Sequence, residues 1–214
     1  MTATDQFERQ VRLSIQASIA AKERLLQDAE LLSTVAKVSE LLVNAFQKGN
    51  KVLLFGNGGS AADAQHIAAE FVGRFAFDRP ALPALALNVN TSCITAIGND
   101  YGFDLVFSRQ IEALAREGDV AIGISTSGNS PNVIRGMEAA RKMGVHTVGL
   151  TGSSGKALKD AVDHCICVPS TETPRIQECH ILIGHVISEL AEQTIFHEES
   201  CVSRSRRGHQ SQGS

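Results

Sequence analysis

The chain has 214 residues, 43% of them apolar and 20% charged, enough for one domain with a substantial core. Its formal net charge of −3 gives no electrostatic basis for binding nucleic acid or a membrane surface. No apolar run approaches the ~20 residues of a membrane span. The first residues lack the basic-then-apolar order of a secretion signal. Five cysteines, an odd number in mostly apolar surroundings, point to reduced thiols and a cytoplasmic protein.

Residues 1–48 contain no proline or glycine, and their apolar residues recur at three- and four-residue steps, among them Leu25, Leu31, Val35, Val38, Leu42 and Phe46. This pattern predicts two helices with a break near Asp28. So long an apolar stripe needs a partner surface, and both the core and a second copy of the chain are expected to supply it. From Lys51 to about residue 197 apolar runs and helical segments alternate. Strands are expected at 51–55, 84–87, 120–124, 147–150 and 164–168. Helices are expected at about 60–75, 91–98, 103–116, 131–143, 155–160 and 175–196. This alternation predicts an α/β domain over 49–197, a parallel sheet with helices on both faces and ligands beyond the carboxyl ends of the strands. The polar stretch 198–214 reads as a disordered tail.

The first strand runs into Gly56-Asn57-Gly58-Gly59-Ser60 and then a helix, with Ser60 as its N-cap. A glycine-rich turn at a helix N-terminus exposes N–H groups to an anion, and the helix dipole favours negative charge there. His66 and Glu70, four residues apart, project from one face of that helix. After the third strand, Ser125-Thr126-Ser127-Gly128-Asn129-Ser130-Pro131 carries more hydroxyls than a cap needs, which fits a phosphate held without lysine. A third polar loop, 151–155, is read equally as a ligand loop or a capping turn. The sequence contains neither the Gly-x-x-x-x-Gly-Lys-[Ser/Thr] loop nor the Gly-x-Gly-x-x-Gly fingerprint, which removes support for nucleotide hydrolysis and dinucleotide binding.

The last long helix carries Gln177, His180 and His185. His66, Glu70, Gln177 and His185 form a nitrogen and oxygen donor set suited to a borderline metal such as Zn²⁺, although Gln177 and His185 lie about two turns apart. His180 is the alternative donor, or a structural histidine. Gly98-Asn99-Asp100-Tyr101-Gly102 reads as a turn, with Asp100 either a sugar ligand or acid, or simply a turn residue. Arg74, four residues after Glu70, either pairs with that carboxylate or meets a ligand. Cys165 and Cys167 share one face of a strand and read as core packing.

Four segments together resemble the sugar isomerase (SIS) domain family, and most narrowly the phosphoheptose isomerases, from about residue 10 to Phe196. They are Gly56–Phe75, Ile94–Gly102, Ser125–Pro131 and Arg175–His185. The resemblance implies a five-stranded parallel sheet between helices, a flavodoxin-like three-layer sandwich with an N-terminal helical extension. It implies a homotetramer with sites at subunit contacts. The reaction it implies is interconversion of D-sedoheptulose 7-phosphate and D-glycero-D-manno-heptose 7-phosphate, the first step toward ADP-heptose and the lipopolysaccharide core.

By the same resemblance, one zinc per subunit is held by His66, Glu70, Gln177 and His185. Asn57, Gly58, Gly59, Asn99 and Asp100 lie against the substrate, with Glu70 and Gln177. Ser125, Thr126, Ser127 and Ser130 take its phosphate. Moving a proton between C1 and C2 needs a base, and moving one between the oxygens needs an acid; Glu70 and His185 supply them. A metal-bound carboxylate is a weaker base, so either Glu70 leaves the ion during turnover or the ion is partly structural. Two rivals share these residues: a non-catalytic SIS protein that binds a replication-initiation partner, and an isomerase of another phosphosugar.

Overall fold

A computed structural model describes the chain from Thr2 to Arg207, with side chains to Phe196. Helix α1 (Ala3–Gln27) opens with a capping box in which Thr2 and Asp5 exchange side-chain to backbone bonds of 2.7 and 3.2 Å. It ends at Asp28, whose carboxylate accepts from Leu31 N at 3.0 Å and caps α2 (Ala29–Gln47). The expected break therefore falls at a residue that closes one helix and opens the next.

Strand β1 (Val52–Gly56) leads to α3 (Gly59–Val72), and β2 (Ala84–Ala86) to α4 (Thr91–Tyr101). A 3₁₀ turn (Phe103–Leu105) and α5 (Ser108–Leu114) replace the single helix expected at 103–116, because Val106 and Phe107 turn into the core between them. Then follow β3 (Val120–Ser125), α6 (Pro131–Lys142), β4 (His146–Thr151), α7 (Lys156–Ala161), β5 (His164–Cys167) and α8 (Thr173–Arg207). Helix α8 thus runs past the boundary expected at 196; residues 208–214 lie outside the described chain. Among the described residues no helix is long and apolar enough to cross a membrane.

All five strands are parallel, in the order β2-β1-β3-β4-β5. Strand side chains alternate between two cores. Val52, Leu54, Ile122, Ile124 and Leu150 face α2, α3 and α8, while Leu53, Phe55 and Ala121 face α5, α6 and α7. The sheet is therefore a middle layer, and its order reverses between β1 and β3. Open α/β sheets bind ligands beyond the strand ends at such a reversal. The loops that leave β1 and β3 there are the glycine-rich and serine-rich segments.

Candidate active site

The β1 loop is shaped by glycine. Gly58 has φ +56°, a left-handed conformation that side chains resist, and it is the N-cap of α3 with no side-chain cap bond. Ser60 is therefore not the cap expected from the sequence. It sits buried in the first turn, where its N–H donates to Asn57 O at 3.0 Å. Asn57 and the buried Asn132 of α6 exchange two amide hydrogen bonds of 2.9 Å, which ties the β1 loop to the β3 loop.

In the β3 loop the hydroxyls gather inward. Ser125 Oγ lies 2.9 Å from Ser130 Oγ and 3.4 Å from Ser127 Oγ, and Ser127 Oγ accepts from Asn129 N at 3.2 Å. Ser130 is the N-cap of α6 but makes no side-chain cap bond, and Pro131 occupies the first turn. The helix N-terminus thus has several hydroxyls beside it that are not consumed in capping, an arrangement that favours an anion. Gly128, at φ +67°, lets the loop lie against Gly155; its carbonyl accepts from Leu158 N at 2.9 Å. The loop after β4 shares a cavity of about 410 Å³ with this one, lined by Thr126, Ser127, Ser153, Ser154, Lys156 and Ser170 among others. Helix α7 has Gly155 as N-cap without a side-chain cap bond, so the serines of 151–155 are not used as its cap.

Helices α3 and α8 lie side by side and run the same way: Gly59 meets Gln177 and, two turns on, Ile67 meets Gly184. In the groove between them His66 Nε2 is 2.9 Å from His185 Nε2 and 3.1 Å from Glu70 Oε1. Ligand atoms of these three residues all lie within 4.8 Å of one another. Two ring nitrogens and a carboxylate oxygen converging at that range match the donor set of a borderline divalent ion. The His66 side chain is 52% exposed and Glu70 22%, so the cluster opens to solvent on one side. The Phe75 ring packs 5.8 Å from the His185 ring.

Gln177 stands at the loop end of the same groove, over the opening turn of α3. A Cβ on Gly59 would collide with its amide, so glycine there is what lets Gln177 close down. His180 is outside the cluster. It is fully buried beneath the sheet end, with Nε2 3.2 Å from Thr151 O and Nδ1 without a partner. Burial pushes its pKa down to about 4, only partly opposed by the bond to Thr151, so this imidazole is neutral and structural. Asp63, one turn before His66, has a buried oxygen without a partner. Burial raises its pKa and the nearby His66 lowers it, with burial dominant.

Several sequence-derived expectations fall elsewhere. Asn99 and Asp100 occupy the exposed last turn of α4, not a turn between elements; the helix ends only at Gly102, φ +91°. Asn99 Nδ2 donates to Asp100 Oδ1 at 2.8 Å. Among the described residues no hydrogen bond or ion pair joins either one to the β3 loop or the histidine cluster. Arg74 lies beyond the end of α3, because Gly73 terminates the helix, and it makes no ion pair with Glu70. Cys165 and Cys167 are both half-buried, with sulfurs 3.7 Å apart; Cys165 packs against the core on the α5–α7 side as expected. Asn132, Asp63 and Phe75 were not singled out from the sequence, although Asp63 and Phe75 lie within the Gly56–Phe75 segment and Asn132 directly follows Ser125–Pro131.

The SIS domain profile matches residues 17–152. The phosphoheptose isomerase of Aneurinibacillus thermoaerophilus is 56% identical over 186 residues, covering 87% of this chain and 94% of that protein. The phosphoheptose isomerase of Roseiflexus sp. is 54% identical, over 91% of this chain and 98% of that one. The solved phosphoheptose isomerase of Neisseria gonorrhoeae superposes with a TM-score of 0.82 at 43% identity, over 87% of this chain and 99% of that one. On these matches the chain belongs to the SIS domain family and, within it, to the phosphoheptose isomerases.

Proposed function

We propose that the protein interconverts D-sedoheptulose 7-phosphate and D-glycero-D-manno-heptose 7-phosphate. The observation that carries this reading is the convergence of His66, Glu70 and His185 in the α3–α8 groove, beside a loop of uncapped hydroxyls at the sheet's switch point. Relatives that cover most of the chain are phosphoheptose isomerases. Ser125, Thr126, Ser127 and Ser130 hold the phosphate through hydroxyls and the α6 N-terminus. Asn57, Gly58, Gly59 and Gln177 lie along the sugar chain, with Asn99 and Asp100 as further contacts.

Glu70 takes the proton from C1 of the ketose and returns it to C2, while His185 removes a proton from O1 and delivers one to O2 through an enediol. The C1–H bond breaks, a C2–H bond forms, and the carbonyl moves from C2 to C1 with no net redox change. We propose one Zn²⁺ per subunit, held by His66, Glu70, His185 and Gln177. When bound, the ion supplies positive charge for the oxygen that becomes negative in the transition state.

Further parts of the reading are a cytoplasmic homotetramer and a product that feeds bacterial surface heptose. The exposed apolar side of α1, with Phe7, Val11, Ile15 and Ile19, supports association with further copies. Glu70→Gln tests the assignment: it retains the fold and loses turnover of sedoheptulose 7-phosphate. Wild-type turnover in that variant overturns the role of Glu70, whereas no turnover by the wild-type protein favours the non-catalytic rival.

A further inference from the structure

Beyond the reactive cluster, one buried ion pair grips both of the elements that carry it. Arg79 and Glu192 are 2% and 1% exposed at their side chains, and Arg79 Nε donates to Glu192 Oε2 at 2.8 Å. The rest of the guanidinium closes the end of α3. One terminal nitrogen donates to Glu70 O at 2.8 Å, and the other donates to Phe71 O at 2.7 Å and Pro80 O at 3.0 Å. Glu70 O and Phe71 O belong to the final turn of α3, where a cation is favoured and no intrahelical donor is available. The planar fork satisfies the carboxylate and both helix carbonyls at once, which a lysine does not reproduce.

Glu192 works in the other direction. It lies on α8 two turns beyond His185, and its oxygens accept from Phe75 N at 2.8 Å, Ala76 N at 2.7 Å and Phe77 N at 3.3 Å. Burial alone raises a carboxyl pKa, but these three N–H groups and Arg79 outweigh it and hold Glu192 below its ordinary value, so it stays ionised. Fixing residues 75–77 also fixes the Phe75 ring against the His185 ring.

We infer that Arg79 and Glu192 are a positioning pair for the reaction: through the Glu70 carbonyl and the Phe75 ring they set Glu70 and His185 relative to each other. This inference rests on the proposed roles of Glu70 and His185. Neither residue of the pair touches substrate. Its effect on rate arises because misplacing reacting groups by about 1 Å can cost on the order of 10²-fold.

The test compares wild type with Arg79→Lys and Phe75→Leu, each assayed well below its own melting temperature. Arg79→Lys keeps the charge and loses the fork; Phe75→Leu leaves the ion pair intact and removes the ring against His185. The expected result is a kcat lowered about tenfold or more with KM within about twofold, since substrate contacts are untouched. The ¹H–¹⁵N cross-peaks of the His185 imidazole move at fixed pH, and those of His146 and His164 stay in place. A folded variant with wild-type kcat and an unmoved His185 signal overturns the inference, however much its melting temperature falls. Should Arg79→Lys fail to fold, Phe75→Leu decides. Absence of sedoheptulose 7-phosphate turnover in wild type strikes the proposed function instead, and the His185 signal then decides the positioning alone.

Discussion

Acid should weaken this fold through one residue, His180. Its imidazole is fully buried, donates from Nε2 to Thr151 O and has no acceptor for a second proton at Nδ1. The folded pKa is about 4, against about 6.5 for an unperturbed histidine. Between these values the unfolded chain binds a proton that the folded chain refuses, so stability rises with pH across this window. The contribution is fully present above about pH 6.5 and is lost as pH falls towards 4. At about 1.4 kcal/mol per pH unit, moving from pH 7 to pH 5 removes about 2 kcal/mol. For a domain of this size that lowers Tm by about 4–8 °C. The assay is thermal or urea unfolding from pH 7 to 4.5 for wild type and His180→Gln. Glutamine donates to Thr151 O and does not titrate, so the variant should lack this part of the slope. Equal slopes in the two proteins would refute the reasoning.

Gly128→Ala places a Cβ against the Gly155 carbonyl and in a left-handed conformation that costs alanine about 1–2 kcal/mol. The β3 loop should shift, and KM for the phosphosugar should rise severalfold with a smaller change in kcat; steady-state kinetics would show it. His185→Ala should lower kcat at least about 10²-fold with circular dichroism unchanged; near wild-type turnover would remove it as the acid. Cys167, whose thiolate is stabilised by the neighbouring Cys165 thiol, has its pKa lowered to about 7, whereas the Cys165 pKa is raised. Iodoacetamide near pH 7 should therefore label Cys167 well ahead of Cys165, by peptide mass spectrometry, and Cys165→Ala should slow that labelling. Equal labelling of the two thiols contradicts this assignment.

The five strands were legible as apolar runs, most plainly β1 and β3, which are buried on both faces, and the helix break was legible because Asp28 is both a cap and an interruption. The helix ends were less so. The sequence suggests Ser60 as a cap, yet Gly58 opens α3 through a backbone conformation that leaves no side-chain signature. Gly98 to Gly102 looks like a turn, yet only Gly102 leaves the helical conformation. The same limit governs the site. Helical spacing finds His66 with Glu70, since both lie on one helix, and proposes Arg74 as the next partner on the assumption that α3 continues. Gly73 ends the helix, and Arg79, from the following loop, reaches the Glu70 backbone instead. Glu192 reads as one more acid on a long helix; its burial depends on how residues 75–77 fold over it.

The most direct measurement is turnover of sedoheptulose 7-phosphate by the purified protein as isolated, after chelation, and after zinc is restored. The account predicts activity that falls on chelation and returns with zinc, and a His66→Ala variant that zinc does not rescue. Turnover indifferent to chelation would contradict the metal assignment and leave Glu70 and His185 as a metal-free pair. No turnover in any of the three states would contradict the isomerase itself.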